Sequence, residues 1–367
     1  MGISRAWVVA AGCLVLATGA VSAGCVRGRA SGDVGDAAAA PPVRAAQLAG
    51  AAAGAAASAP GPATDGDVCP VWTPGPGFKE RAPQDEASAA GQGTPATEDG
   101  RLVVVSYNLW ELYDGRDGDS YLGRDDHPEW EKLDEAHASR RVAALAAPLS
   151  GLAADVFVFQ EVEDAGLACA VAHAADPASS WNCWAGNWAH EPHPQNVAVA
   201  ARIPGAAVQL NPGRGMGQRG VLEFAPEGAA VRIAAVHLKS SVGAAGARDC
   251  GNAAKRMAVA WGLRQRQESL AGPAYLIVGD FNVDPADPAK IGYDRTDDIL
   301  AEAGDEDLLS RFPAEAAAGG GRYRTIIDRA FLRPGAGVVV DDLRFLDAPT
   351  GGWASDHRPL VVVLRSE

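Results

Sequence analysis

The chain has 367 residues, 47% hydrophobic and 21% charged, a balance that fits a globular fold and excludes a disordered or multispanning membrane protein. Its formal charge is −14, and residues 101–367 alone carry 26 Lys and Arg against 37 Asp and Glu. Such a domain has no bulk attraction for phosphate polymers, so a phosphate substrate would have to be held by local groups or a metal.

Residues 1–25 read as an export segment. Arg5 gives a short positive start, Trp7–Val21 is apolar, and Ser22-Ala23-Gly24-Cys25 is a run of small residues. The apolar run is too short to span a bilayer stably. Cleavage after Ala23 would give a secreted protein. Ser22-Ala23-Gly24-Cys25 also resembles a bacterial lipoprotein box, with Ser22 where Leu is usual, which would place a lipid anchor on Cys25. Parity favours the second reading. Of six cysteines, removing Cys13 and Cys25 leaves Cys69, Cys169, Cys183 and Cys250, enough for two disulfides in an exported chain. Three connectivities exist; the expected one is Cys169–Cys183, a short local closure, with Cys69–Cys250 tying the preceding segment onto the catalytic domain.

Residues 26–100 form a low-complexity linker and a transitional segment. Positions 26–66 have no aromatic residue and cannot bury enough apolar surface to fold. Cys69 and Trp72 then suggest some packing. From Arg101 onward, the runs Leu102–Tyr107, Asp155–Gln160, Val197–Ala201, Val221–Phe224, Val231–His237, Tyr275–Val278, Ile326–Leu332, Val338–Val340 and Leu360–Leu364 read as strands. Helical spacing appears over Glu129–Leu149 and Asn252–Leu270, with weaker helices after Glu161 and Asp294. Many strands with helices between them point to two packed sheets covered by helices in one domain, residues 101–367.

Polar residues gather at the strand ends: Asn108, Glu161, His237 with Lys239, Asp280 with Asn282, Asp328, and Asp356 with His357. Side chains at several strand ends can share one rim. Hard oxygen donors there suit Mg²⁺, Mn²⁺ or Ca²⁺ and disfavour zinc. Asp114, Asp117 and Asp119 lack calcium-loop spacing and read as a solvated loop.

Ser106-Tyr107-Asn108, Gln160-Glu161-Val162, Gly279-Asp280-Phe281-Asn282 and Ser355-Asp356-His357-Arg358-Pro359, in that order, resemble the signature set of the endonuclease/exonuclease/phosphatase superfamily. The resemblance covers residues 101–367. It implies an α/β fold of the deoxyribonuclease I type, a four-layer α/β/β/α sandwich of two packed mixed sheets, and metal-dependent cleavage of phosphate esters. Further positions resemble deoxyribonuclease I: Arg219 matches an active-site arginine, His237 a histidine assisting the leaving group, and Asp328 an aspartate orienting the other histidine. His190-Glu191-Pro192 aligns loosely with a supporting Glu-Pro. His237 argues against the abasic-site endonuclease branch, whose pattern has a tyrosine there.

The resulting assignments follow from what phosphodiester cleavage needs: neutralised charge, an activated water and a protonated leaving oxygen. Glu161, with Asp356 and Asn108, would hold the metal. Asn108, Arg219 and Lys239 would contact substrate. Asp280 would position the attacking water, Asn282 would hold a phosphate oxygen, His357 oriented by Asp328 would be the general base, and His237 the acid. An exported nuclease acting on DNA, or on RNA, is the expected function, in a monomer with no protein partner inferred. A lipid-directed phosphodiesterase resembling sphingomyelinase and a non-catalytic surface-binding module are the alternatives. The aromatic run Trp181–Trp188 fits a lipid-facing hairpin, packed core or base stacking equally.

Overall fold

The computed structural model describes residues 69, 71–75, 77–83, 85–89, 100–114, 134–186, 195–211, 220–241, 247–270, 272–285, 293–313, 325–335, 337–347, 352 and 354–367. In chain order these form β1 (Lys79–Arg81), β2 (Asp85–Ala89), β3 (Arg101–Leu112), α1 (Glu135–Ala146), β4 (Val156–Val162), α2 (Ala165–Ala175), β5 (Trp181–Ala185), β6 (Asn196–Ala201), β7 (Gly205–Asn211), β8 (Val221–Pro226), β9 (Val231–His237), α3 (Ala247–Ser269), β10 (Ala274–Asp280), α4 (Thr296–Glu302), β11 (Glu306–Asp307), β12 (Asp328–Arg333), β13 (Val338–Phe345) and β14 (Leu360–Ser366).

The strands build two seven-stranded sheets, ordered β1-β7-β8-β9-β10-β12-β11 and β13-β14-β3-β4-β6-β5-β2. Both are mixed: β9/β10 and β3/β4 run parallel, while neighbours such as β10/β12 and β14/β3 run antiparallel. Side-chain alternation sorts each strand into two apolar faces. In β4, Val156 and Val158 join a core shared with Leu222, Ile233, Leu276 and Val278 of the other sheet. Phe157 and Phe159 turn the opposite way, onto Leu145 of α1 and Val171 of α2. On the other sheet Tyr275 and Ile277 face Met257, Val259 and Leu263 of α3. Both faces are covered, which is why these strands read as unbroken apolar runs. The order of layers is therefore α/β/β/α. Helix starts are set locally: Asp134 and Asp164 accept from the backbone N–H groups of His137 and Leu167, both at 2.7 Å, as N-caps.

The transitional segment is woven into this sandwich. β1 pairs with β7 at the edge of one sheet, and β2 pairs with β5 at the edge of the other. Trp72 meets Trp261 of α3 edge-on at 6.4 Å between ring centres, and Cys69 is bonded to Cys250 at the start of the same helix. The second disulfide, Cys169–Cys183, joins α2 to β5. Both pairings are those expected from the sequence.

Each expected strand is present. Trp181 is buried in β5 and Trp184 packs on Phe224 at 5.4 Å, so both belong to the core; Trp188 lies outside the described residues.

Candidate active site

The site forms where the strand ends of the two sheets meet. In one sheet, Asp280 ends β10 with His237 of β9 as its parallel neighbour and Asp328 of β12 as its antiparallel one. Gly279 makes this close approach feasible: its φ is 148°, and a Cβ there would lie 2.0 Å from the carbonyl oxygen of Val236. In the other sheet, register shifts break the ladder after Asn108 in β3 and around Glu161 in β4. Such bulges re-aim side chains at a sheet rim. Glu161 takes φ 56°, Asn282 52°, and Trp110 and Glu111 take 51° and 55°. Left-handed backbone at a non-glycine residue costs on the order of 1–3 kcal/mol, and four such residues cluster at this rim.

Asn108 sits at the centre. Its Oδ1 accepts from the backbone N–H of Trp110 at 2.9 Å. That fixes the amide, and Nδ2 donates to Glu161 Oε1 at 3.2 Å and Asp280 Oδ2 at 3.1 Å. As placed, the side chain offers donors rather than an oxygen ligand to the pocket. His237, 1% exposed, brings Nε2 within 3.4 Å of Glu161 Oε1 and 3.6 Å of Asp280 Oδ2. From the other side His357 brings its Nε2 within 3.9 Å of the same Asp280 oxygen and 3.8 Å of Asp356 Oδ1. The second ring nitrogen, Nδ1, is 2.7 Å from Asp328 Oδ2, a contact that selects the Nδ1–H tautomer. Ser355 ties the motifs together: its hydroxyl donates to the carbonyl of Asn108 at 2.7 Å and accepts from the His357 N–H at 3.1 Å. The Asn282 backbone N–H donates to Asp280 Oδ1 at 2.8 Å, and its side chain donates to the Leu238 carbonyl at 3.0 Å.

Negative charge dominates the pocket. Burial, reinforced by Asp328 and Glu161 and opposed by His357, pushes Asp280 up to about 7. Asp356 is also raised, first by burial and then by Glu161 and Asp328. Burial alone would depress His357, but Asp328, Asp280 and Asp356 together hold it well above the usual histidine range. Asp356 Oδ1 is buried without a hydrogen-bond partner among the described residues. Two donor triads have ligand atoms mutually within 4.8 Å: Glu161–His237–Asp280 and Asp280–Asp328–His357. Crowded carboxylates with an orphaned oxygen are the donor set a hard divalent cation would neutralise.

Among the sequence candidates, Asn108, Glu161, His237, Asp280, Asn282, Asp328, Asp356 and His357 come together here. Lys239 lies two residues beyond His237, with its carbonyl bonded to Arg256. Arg219, Glu191, Asp117 and Asp119 lie outside the described residues. Sequence reasoning overlooked Arg141, which donates to three carbonyls of the β3 bulge. Its signal is positional: Arg141 stands three residues after Ala138 and four before Leu145, both buried on α1.

Residues 105–357 match the model of the endonuclease/exonuclease/phosphatase family, and the chain belongs to that family. No curated protein sequence matches it. Among solved structures it is similar to an endonuclease/exonuclease/phosphatase from Beutenbergia cavernae DSM 12333, at 18% identity and TM-score 0.51 over 72% of each chain. It is also similar to D. rerio TDP2 complexed with a single-strand DNA product, at 14% identity and TM-score 0.44 over 73% of this chain and all of that one. A family member from Leptotrichia buccalis C-1013-b aligns at 13% identity and TM-score 0.47, over 72% of this chain and 99% of that one. The family is one of phosphoester hydrolases, and two packed seven-stranded mixed sheets with flanking helices are its deoxyribonuclease I-like fold.

Proposed function

We propose that the chain is a divalent-metal-dependent phosphodiesterase, an exported nuclease acting on DNA. One observation carries this reading: two imidazoles face a single carboxylate, with His237 Nε2 at 3.6 Å and His357 Nε2 at 3.9 Å from Asp280 Oδ2. That arrangement provides a proton acceptor and a proton donor on either side of one reacting phosphorus. Glu161 and Asp356 would hold Mg²⁺ or Mn²⁺, which when bound supplies charge neutralisation at the phosphate. Asn108 would turn one of its two Nδ2 hydrogens, held here by Glu161 and Asp280, to a phosphate oxygen, and Asn282, Arg219 and Lys239 extend the substrate contacts. Asp280 orients the attacking water, and His357 takes its proton at Nε2. Asp328 keeps the His357 tautomer fixed and stabilises the cation formed. His237 protonates the leaving oxygen. The raised pKa values of both groups favour a second division of labour, in which Asp280 takes the proton and His357 remains a cation against the phosphate.

Nucleic acid is favoured over bilayer lipid because, among the described residues, Val71 is the only large hydrophobic side chain that is exposed. Of the strongest aromatic candidates for a lipid-facing hairpin, Trp181 is buried and Trp184 is half-buried against Phe224. The two disulfides fit an oxidising compartment, and lipid on Cys25 would hold the protein at a membrane. The deciding experiment incubates residues 67–367 with Mg²⁺ or Mn²⁺ and plasmid DNA, RNA, sphingomyelin or inositol phosphates. Cleavage of DNA supports the reading; turnover of sphingomyelin alone, or of nothing, overturns it. In the full chain, Cys25→Ser should move the protein from the membrane to the soluble fraction.

A further inference from the structure

We infer that Arg141 is a positioning residue for this chemistry, acting through the β3 bulge on the Asn108 amide. The inference rests on the phosphodiesterase reading for its kinetic part and on geometry alone for the rest.

The guanidinium reaches from α1 to three consecutive carbonyls of the bulge. Nη1 donates to Glu111 O at 2.8 Å, and Nη2 donates to Leu109 O at 2.9 Å and Trp110 O at 2.8 Å. Its carbon also lies 6.0 Å from the centre of the Trp110 ring. Converging carbonyls repel one another, and the last two of the three residues, Trp110 and Glu111, are in the left-handed region at φ 51° and 55°. Neither is glycine, so the backbone has no intrinsic preference for this path. A planar cation with several fixed donors compensates three converging dipoles at once; an ammonium ion acts as a single point charge.

The path matters because the Trp110 N–H is what holds Asn108 Oδ1 at 2.9 Å. A side-chain amide has two orientations, and the hydrogen bond to its oxygen decides between them. With Trp110 in place, Asn108 turns Nδ2 toward Glu161 and Asp280. If the bulge relaxes, the amide loses its anchor, and the flipped form would aim oxygen at two carboxylates. Arg141 therefore sets which end of Asn108 the pocket sees, without touching the pocket itself.

The test uses Arg141→Lys in the full chain, with Arg141→Gln as the second variant if Lys does not fold. The first readout is amide hydrogen exchange without substrate or added metal. Exchange of the Trp110 N–H should accelerate by about tenfold or more, while amides within α1 keep their protection. The second readout is a kinetic cycle with Asn108→Ala on a phosphodiester. Arg141→Lys should lower kcat by about 10–100-fold at nearly constant KM in the wild-type background. In the Asn108→Ala background the same change should cost less than about twofold, because residues acting in series do not add. Unchanged exchange at Trp110, or losses that multiply across the cycle, would overturn the inference. A wild-type protein with no phosphodiesterase activity would instead overturn the functional reading, and the exchange experiment would still decide the positioning role.

Discussion

Glu223 of β8 and Asp280 of β10 belong to the same sheet and are buried alike, at 1% and 2% exposure, yet their acidities move in opposite directions. Glu223 faces α3, where it accepts from Arg232 Nη1 at 2.7 Å, from Arg266 Nε at 3.0 Å and Nη2 at 2.9 Å, and from Tyr275 OH at 2.7 Å. Burial would raise it, but Arg266 and Tyr275 outweigh burial and hold it below the usual range. Burial dominates at Asp280, where one imidazole, His357, opposes it while Asp328 and Glu161 reinforce it, and the carboxyl stands near 7. A structural ion network closes its own charge balance; the candidate site leaves its balance open, toward whatever cation and substrate enter.

Five variants bear on that contrast. The largest effect should come from Asp280→Asn, which removes the charge and keeps the shape. Turnover should fall by about 10²–10⁴-fold, while the melting temperature at neutral pH stays level or rises. A clear loss of stability would mean that Asp280 is structural after all. Glu223→Gln should do the reverse: about 2–3 kcal/mol of stability lost, because Arg232 loses its carboxylate and the mostly buried Arg266 keeps only the exposed Glu80. Activity per folded molecule should hold. Denaturant titration and active-fraction kinetics read both at once.

The two histidines come next. His357→Ala should slow DNA and a nitrophenyl phosphodiester alike, since each needs an activated water. His237→Ala should slow DNA by about tenfold more than the nitrophenyl ester, whose leaving group needs little protonation. Equal losses on both esters for His237→Ala would leave it as a phosphate donor only.

The smallest effect concerns Asp305, a buried carboxylate hydrogen-bonded to Gln267. Burial raises it from 3.8 to about 6, against the opposing influence of its hydrogen bond with Gln267 and of Arg333. The folded state then holds this proton more tightly than the unfolded chain. The stability it gives is full below about pH 4 and is lost as pH rises through about 6. Asp305→Asn should flatten the stability profile between those values by about 1–2 kcal/mol; an unaltered slope would show that other groups set it.

The parts of the fold visible in sequence are those buried on two faces. Val156–Val162 and Ala274–Asp280 announce themselves because both sides pack. β1 is Lys-Glu-Arg and fully exposed, β7 begins Gly-Ala-Ala, and β11 has two residues. Strands at or next to a sheet edge such as these exist through pairing with a neighbour, not through any apolar pattern of their own. β5 carries a pattern, but its two tryptophans fit a core strand and a binding surface equally well. At the site, strand-end polar residues mark themselves by interrupting apolar runs. Orientation is different. Which way Asn108 turns depends on Trp110, and Trp110 on an arginine from a helix more than thirty residues away in sequence. No local pattern records that chain of contacts.

The Cys69–Cys250 bond has a mechanical consequence. It spans 181 residues of sequence, and β1 and β2 come next in the chain after Cys69 as edge strands. Edge strands peel one hydrogen bond at a time when pulled from an end. Any tension arriving along the chain from before Cys69 would instead meet a covalent junction and pass into α3, a 23-residue helix packed along the sheet. The load would be shared by the whole helix–sheet contact in shear, and the two edges behind the junction would be spared. Were the chain tethered on its N-terminal side, the bond would act as a strain relief.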